Sequence, residues 1–322
     1  MSEPKPRSHL VERAMEALGG AGTLLRPGGT PPAPAAPMPG SRPGPLPKAA
    51  GQAEAVAPPP APPDGGEVPA AAAPVSLEAM RRAGLVVAPG RAERNRASEE
   101  VNVVQHQVLR TLRATPEAEG RCARAILVTS ARPGEGKTFT ALNLAASIAV
   151  GGGRPAVLVD VDGKHGSVSE LLGLADQPGL HALAAGSALP VARLLVPTEL
   201  PALAILPFGH VTGASEAPSG AGMVAALLRL AAALPRHVLV LDSPPCLSTS
   251  DPSALASAVG QVLMVVQAER TQRDEVEAAL DLVEACPTLQ LVLNQTRMTS
   301  NDSFGAYGAY EVYGSYGARP DA

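Results

Sequence analysis

Tryptophan is absent from this chain of 322 residues, phenylalanine occurs three times, and the four tyrosines all fall in the last 16 residues. The core is therefore built without tyrosine, and the C-terminus holds every phenol. Only three cysteines are present, Cys122, Cys246 and Cys286. They lie far apart, with no CxxC and no nearby His pair, which excludes a zinc site or a disulfide framework and suits a reducing compartment. They are expected to be small core residues. No run approaches the ~20 uninterrupted apolar residues of a spanning helix, and the N-terminal Met1-Ser-Glu-Pro-Lys-Pro lacks the apolar stretch of a signal peptide, so a cytoplasmic protein is expected. An excess of either charge is missing too: 26 basic against 30 acidic residues give −4, and nothing in that balance favours nucleic acid as a partner.

What is present divides the chain in two. Nineteen of the 34 prolines lie in residues 1–90. Residues His9 to Leu18 (HLVERAMEAL) place Leu10, Val11, Met15 and Leu18 on one side of a short helix, at most a docking peptide within residues 1–18. Residues 19–75 are Pro, Ala and Gly with few apolar anchors, a composition that cannot offset its own ordering entropy and is expected to be a disordered linker. The basic excess of residues 1–97 (+3) against the acidic remainder (−7) is read as serving solubility. Order is expected over 76–300, beginning with a helical turn at Ser76 and a longer helix over Ala97–Leu112. Six strands follow at Ala125–Thr129, Ala156–Val161, Leu203–Leu206, His237–Leu241, Gln261–Val266 and Leu289–Leu293, with helices at Thr138–Val150, Gly222–Leu234 and Arg273–Cys286. Apolar strands alternating with helices predict an α/β fold, a mostly parallel sheet covered on both faces.

After the first strand comes Ala131-Arg-Pro-Gly-Glu-Gly-Lys-Thr138 and then a helix, the P-loop pattern GxxxxGK[ST] with Ala131 in place of the first glycine. Gly134 and Gly136 let backbone N–H groups turn onto phosphate oxygens, Lys137 reaches the outer phosphates from an exposed loop, and the Thr138 hydroxyl can ligate Mg²⁺. The nucleotide site is read as Pro133, Gly134, Glu135, Gly136, Lys137, Thr138 and Phe139. Asp160 and Asp162, two apart at the end of a strand, are expected to project to one face. Asp242 follows four apolar residues in the Walker B manner, holding Mg²⁺ directly or through water. Strand ends of an open α/β sheet form one crevice, so loop and acids should converge there, with one Asp free to act as a general base.

With these motifs the chain resembles a bacterial tyrosine kinase of the P-loop type, similar to the MinD/ParA ATPases. The resemblance is carried by PGEGKT (Pro133–Thr138), VLVDVD (Val157–Asp162), VLDSPP (Val240–Pro245) and the terminal tyrosines. HLVERAMEAL, LEAMRRAGLVV (Leu77–Val87), SELLGL (Ser169–Leu174), VGQVLMVVQAERT (Val259–Thr271), LVEACP (Leu282–Pro287) and LVLNQ (Leu291–Gln295) point further to the XrtA-associated tyrosine autokinase subgroup. The resemblance implies autophosphorylation by ATP and Mg²⁺ within a system that makes and exports a cell-surface polysaccharide. It implies Asp160 as base, Lys137 on the phosphates, Thr138, Asp162 and Asp242 serving Mg²⁺, and Asn294 near adenine. As partners it implies an inner-membrane polysaccharide chain-length or co-polymerase protein acting as activator, a protein-tyrosine phosphatase and a homo-oligomer, and hence a peripheral place at the inner membrane. Three departures stand out. Asp162 is followed by Gly163-Lys-His-Gly166, leaving Lys164 to replace the family's basic residue. Asn102, Gln105 and His106 stand where subunit-bridging arginines are usual, and Ser215-Glu-Ala-Pro-Ser219 replaces a Glu-Leu-Leu segment.

The tail FGAYGAYEVYGSYG offers Tyr307, Tyr310, Tyr313 and Tyr316 as phosphoacceptors in residues 301–322, with interleaved glycines that oppose a stable helix. From Thr296 the tyrosines are 11 to 20 residues away, roughly 35–65 Å when extended, enough to reach a neighbouring subunit. Two alternatives stay open: a MinD/ParA-like regulatory ATPase, which would carry a lysine where Arg132 stands, and a catalytically impaired nucleotide-binding scaffold of the polysaccharide machinery.

Overall fold

The computed structural model describes residues 73–87, 95–164, 166–209 and 220–296, all within the second of the chain's two units, Ala71–Ala322. The helix expected at 9–18, residues 19–72 of the expected linker, His165, Ser215–Ser219 and the four tyrosines lie outside the described residues, whereas residues 73–75, expected as the end of the linker, belong to the fold.

Seven strands form one sheet: β1 Cys122–Ser130, β2 Ala156–Asp160, β3 Val196–Pro197, β4 Leu203–Leu206, β5 Val238–Asp242, β6 Val259–Gln267 and β7 Leu289–Asn294. Their order is β3-β4-β2-β5-β1-β6-β7, every pairing parallel except that of β3 with β4. Six strands match the sequence expectation, and the seventh, β3, escapes it because two residues carry no periodicity. The central strands β1, β2 and β5 are buried almost throughout, as continuous Val/Ile/Leu runs covered on both faces must be.

Among the described residues the α-helices are α1 Leu77–Arg82, α2 Arg96–Ala114, α3 Lys137–Gly151, α4 Val168–Leu171, α5 Leu180–Ala184, α6 Gly220–Ala233, α7 Asp251–Ala256 and α8 Arg273–Leu282. Helix α2 starts at a capping box in which Asn95 and Ser98 exchange side-chain and backbone hydrogen bonds. Helix α8 also starts at a capping box, between Gln272 and Glu275, and stops at Leu282 rather than at Cys286. Pro287 follows Cys286, and the residue before a proline is pushed out of the helical region.

The lead-in before the sheet is part of the fold. Val75 bridges Thr198, and α1 is capped by the Ser76 side chain, which accepts from Ala79 N at 3.1 Å. Leu85 and Val87 are buried in the core. Asn143, buried on α3, fixes this segment: its Oδ1 accepts from Val86 N (2.7 Å) and Val87 N (3.3 Å), while its Nδ2 donates to the carbonyls of Gly84 (3.0 Å) and Phe139 (2.9 Å). All four hydrogen-bonding positions of that amide are used.

Two positions read from the sequence as substitutes for bridging arginines turn inward. The Ser147 hydroxyl on α3 donates to Asn102 Oδ1 at 2.9 Å and reaches Gln105 Oε1 at 3.2 Å, and Gln105 is buried. They fasten α2 to α3, whereas His106 is exposed. Cys122, Cys246 and Cys286 are buried and free, as small core residues should be, and burial pushes all three thiols up.

Candidate active site

Strand β1 ends at Ser130, the chain turns through Ala131–Gly136, and α3 starts at Lys137. Gly134 and Gly136 have φ of 85° and 95°, a backbone that side chains rarely adopt. At Gly136 space is lacking as well, since a Cβ there would stand 2.1 Å from Asn294 Nδ2. The first turn of α3 carries no side-chain cap. Its backbone donors and the positive end of the helix dipole are thus available to an anion. Lys137 is only 9% exposed, on the first helical position rather than on the exposed loop expected. Its charge acts on both Asp162 and Asp242. The Phe139 ring lies against Gly84 of the lead-in, turned to the fold.

The carboxylates meet through register. Asp160 and Asp242 end neighbouring parallel strands as direct partners, which puts their side chains on one face. Strand β2 stops at Asp160, so Asp162 lies in the following loop and the same-face expectation for 160 and 162 does not arise from strand geometry. The reason is local. Asp160 Oδ1 accepts from the backbone N–H groups of Asp162 (2.9 Å) and Gly163 (3.2 Å), pulling the chain into a turn, and Oδ2 accepts from Ser169 N (3.0 Å). Gly163 takes φ 58°, and a Cβ there would meet the Phe208 ring at 2.5 Å. Phe208 N in turn donates to Ser169 Oγ at 3.0 Å, so the turn is fixed from both sides.

Asp242 is fully buried, and neither of its carboxylate oxygens has a partner at hydrogen-bonding distance. Burial, reinforced by the charge of Asp160, pushes its carboxyl up to about 7, with Thr138 and Lys137 opposing. Asp162 is likewise raised by burial, against the charges of Lys137 and Lys164, and its Oδ1 is buried without a partner. Native proteins seldom leave such oxygens unpaired. A hard cation supplies what they lack, and Thr138 stands beside Asp242 at the start of α3. Among the described residues no three His, Cys, Asp or Glu side chains form a complete metal-binding group. Mg²⁺ binds through one or two protein oxygens and keeps water and phosphate as its other ligands, a demand that the buried unpartnered oxygens of Asp162 and Asp242 can meet. The donors present therefore fit the ion.

The sequence placed Glu135 in the loop without seeing its side chain's task. It is buried, and it accepts from Arg132 N (2.7 Å), Gln267 N (3.4 Å) and the Thr271 hydroxyl. An acid inside a loop shaped for anions must point its charge away from them, and that is the signal the sequence offered. Gln267, Thr271 and Gln295 lie in the segments VGQVLMVVQAERT and LVLNQ that carry the resemblance, but their place behind the phosphate loop was missed because it depends on distant contacts. Asn294, expected near adenine, uses its Nδ2 to donate to the Glu135 carbonyl at 2.9 Å. Arg132 is paired with Glu275 of its own chain at 2.7 Å. Lys164 is exposed beside Asp162.

No family model matches the chain. Among curated proteins, tyrosine-protein kinase wzc of Salmonella typhimurium is 34% identical over 157 residues, 48% of this chain and 21% of its own length. Tyrosine-protein kinase YwqD of Bacillus subtilis is 25% identical over 214 residues, covering 65% of this chain and 89% of YwqD. The chain spans about a fifth of wzc and of the other relatives that match at 34% identity. Among solved structures, the kinase domain of the Escherichia coli tyrosine kinase ETK superposes with a TM-score of 0.53 at 21% identity, over 66% of this chain and 80% of that one. The chain is thus similar to bacterial tyrosine-protein kinases over about half to two thirds of its length.

Proposed function

We propose that the chain is an ATP- and Mg²⁺-dependent protein-tyrosine kinase that phosphorylates its own Tyr307, Tyr310, Tyr313 and Tyr316. The observation that carries the reading is the pairing of an uncapped P-loop helix with unpartnered, buried carboxylate oxygens at Asp162 and Asp242, beside Lys137. Bound Mg²⁺, held by Thr138, Asp162 and Asp242, supplies neutralisation of the charge on the outer phosphates. Gly134 to Phe139 cradle the phosphates by backbone N–H groups, with Pro133 shaping the loop without a donor of its own, and Lys137 adds its positive charge, while Asn294 flanks the base from the end of β7. Asp160 accepts the proton of a tyrosine hydroxyl as the oxygen bonds to the γ-phosphorus and ADP leaves.

A second division of labour has a specific observation in its favour. Three backbone N–H groups already occupy the oxygens of Asp160, whereas Asp162 keeps one oxygen unpartnered. On that reading Asp162 takes the proton and Asp160 holds the turn that presents it.

By the same resemblance, the kinase serves production and export of a cell-surface polysaccharide. An inner-membrane chain-length or co-polymerase protein would activate it, a protein-tyrosine phosphatase would reverse it, and the chain would assemble with copies of itself. Purified protein incubated with ATP and Mg²⁺ should acquire phosphotyrosine, and the variant with all four tyrosines changed to Phe should acquire none while still binding ATP. ATP hydrolysis without phosphotyrosine would make it a regulatory ATPase, and nucleotide binding with neither would make it a scaffold.

A further inference from the structure

The phosphate loop is held from behind by a seam of polar contacts. Glu135, 1% exposed, joins the loop to the end of β6 through Gln267 N (3.4 Å) and to the segment after it through the Thr271 hydroxyl, and bonds Arg132 N (2.7 Å) within the loop itself. From the end of β7, Asn294 Nδ2 donates to the Glu135 carbonyl (2.9 Å) and Gln295 Nε2 to the Gly134 carbonyl (3.0 Å). Gln267 Nε2 closes the seam on Gln295 Oε1 at 2.6 Å. An independent feature marks the same place. Among the described residues three that are not glycine have positive φ, and two of them, Glu269 (61°) and Gln295 (58°), lie in this seam. Such backbone survives where the surroundings over-determine it, and it gathers at ligand sites.

We infer that Glu135 is a positioning residue through which the segment Ala268–Thr271 sets the geometry of the phosphate loop, so that nucleotide affinity depends on a hydroxyl lying outside the loop. This rests on the loop being a nucleotide site. The physical ground is the cost of an unpaired buried carboxylate: without the Thr271 hydroxyl, the Glu135 oxygen must find another donor, and it carries the backbone of Gly134–Gly136 with it.

The test is calorimetric titration of the full chain with ATP and Mg²⁺. Thr271→Val keeps the shape and removes the hydroxyl; it should weaken binding about tenfold, the size of one hydrogen bond to a charged group, while the thermal midpoint of the nucleotide-free protein stays near wild type. Thr271→Ser should restore affinity. Glu135→Ala, which removes the acceptor altogether, should weaken binding at least as much, and because it already abolishes the Thr271 contact, the double variant should lose no more than the worse single one. Wild-type affinity in Thr271→Val, failure of Thr271→Ser to rescue it, or additive losses in the double variant would overturn the inference. Nucleotide binding without phosphotyrosine in the wild type would sink the kinase proposal alone, whereas a wild type that binds no nucleotide would overturn both.

Discussion

Asp242 carries two consequences of opposite sign. Its carboxyl, ordinarily at 3.8, is raised to about 7 by burial. Between those values the folded chain retains a proton that the unfolded chain has lost, so this group's contribution to stability falls as pH rises from about 4 to about 7. Without nucleotide or Mg²⁺, Asp242→Asn should remove that slope, gaining on the wild type by on the order of 4 kcal/mol across the window in chemical denaturation at pH 4.5 and pH 8. Binding of Mg²⁺ needs the charged form, so ATP·Mg²⁺ affinity of the wild type should rise with pH up to and past about 7, and that rise should vanish in Asp242→Asn. A parallel pH dependence in both proteins would take Asp242 out of the metal site. At the same scale, Asp160→Asn and Asp162→Asn divide the two roles. If Asp160 is the base, its variant binds ATP·Mg²⁺ normally without transferring phosphate, while Asp162→Asn binds it several-fold more weakly; the reverse pattern assigns the proton to Asp162. Lys137→Met should abolish phosphotyrosine and leave the far-ultraviolet circular dichroism unchanged, and transfer at the wild-type rate would refute the phosphate role of this lysine.

Among the elements, the lead-in and α3 share one amide. Asn143 holds the backbone of Gly84, Val86 and Val87 on the helix that opens at Lys137. Asn143→Ala would strand two backbone donors and an acceptor in partly buried surroundings, and equilibrium denaturation should show a loss of roughly 2–4 kcal/mol. A loss below about 1 kcal/mol would mean that water replaces the amide without penalty. Sequence patterning could delimit α1 by its Ser76 cap and α3 by its apolar run between the glycines at 136 and 151–153. It could not join them, since nothing in the string NLAAS around Asn143 says that its side chain meets a segment some sixty residues earlier. The polar positions on α2 teach the same lesson. Asn102 and Gln105 look like surface residues until Ser147 of α3 is set against them.

At the level of the molecule, the boundary between linker and fold can be tested by removal of residues 1–72. The described fold begins at residue 73, and its first pairing to the sheet is made by Val75. The truncated chain should stay soluble, bind ATP·Mg²⁺ and melt within a few degrees of the full chain. Extending the deletion through Val87 should cost far more, because Val75, Met80, Leu85 and Val87 are all buried. Each buried aliphatic side chain is worth about 1.5–3 kcal/mol. Among the described residues no helix is long and apolar enough to cross a membrane.

The sequence by itself determined that a strand, a glycine loop and a helix build the phosphate site, because strand burial, glycine conformation and helix initiation are local properties written in a few adjacent side chains, although it put Lys137 on the loop rather than the helix and Asp162 on the strand rather than past its end. Gly134, Gly136, Lys137 and Thr138 could be read from their spacing alone. Only the tertiary structure decided that Asp160 and Asp242 are partners, since this follows from the register of two strands some eighty residues apart in the chain. It also decided that Asp160 is spent on three backbone donors while Asp242 has none. The brace of Glu135 against Thr271 belongs to the same class. A hydrogen bond between distant segments depends on where the fold brings them, and neither partner's neighbours in sequence carry that information.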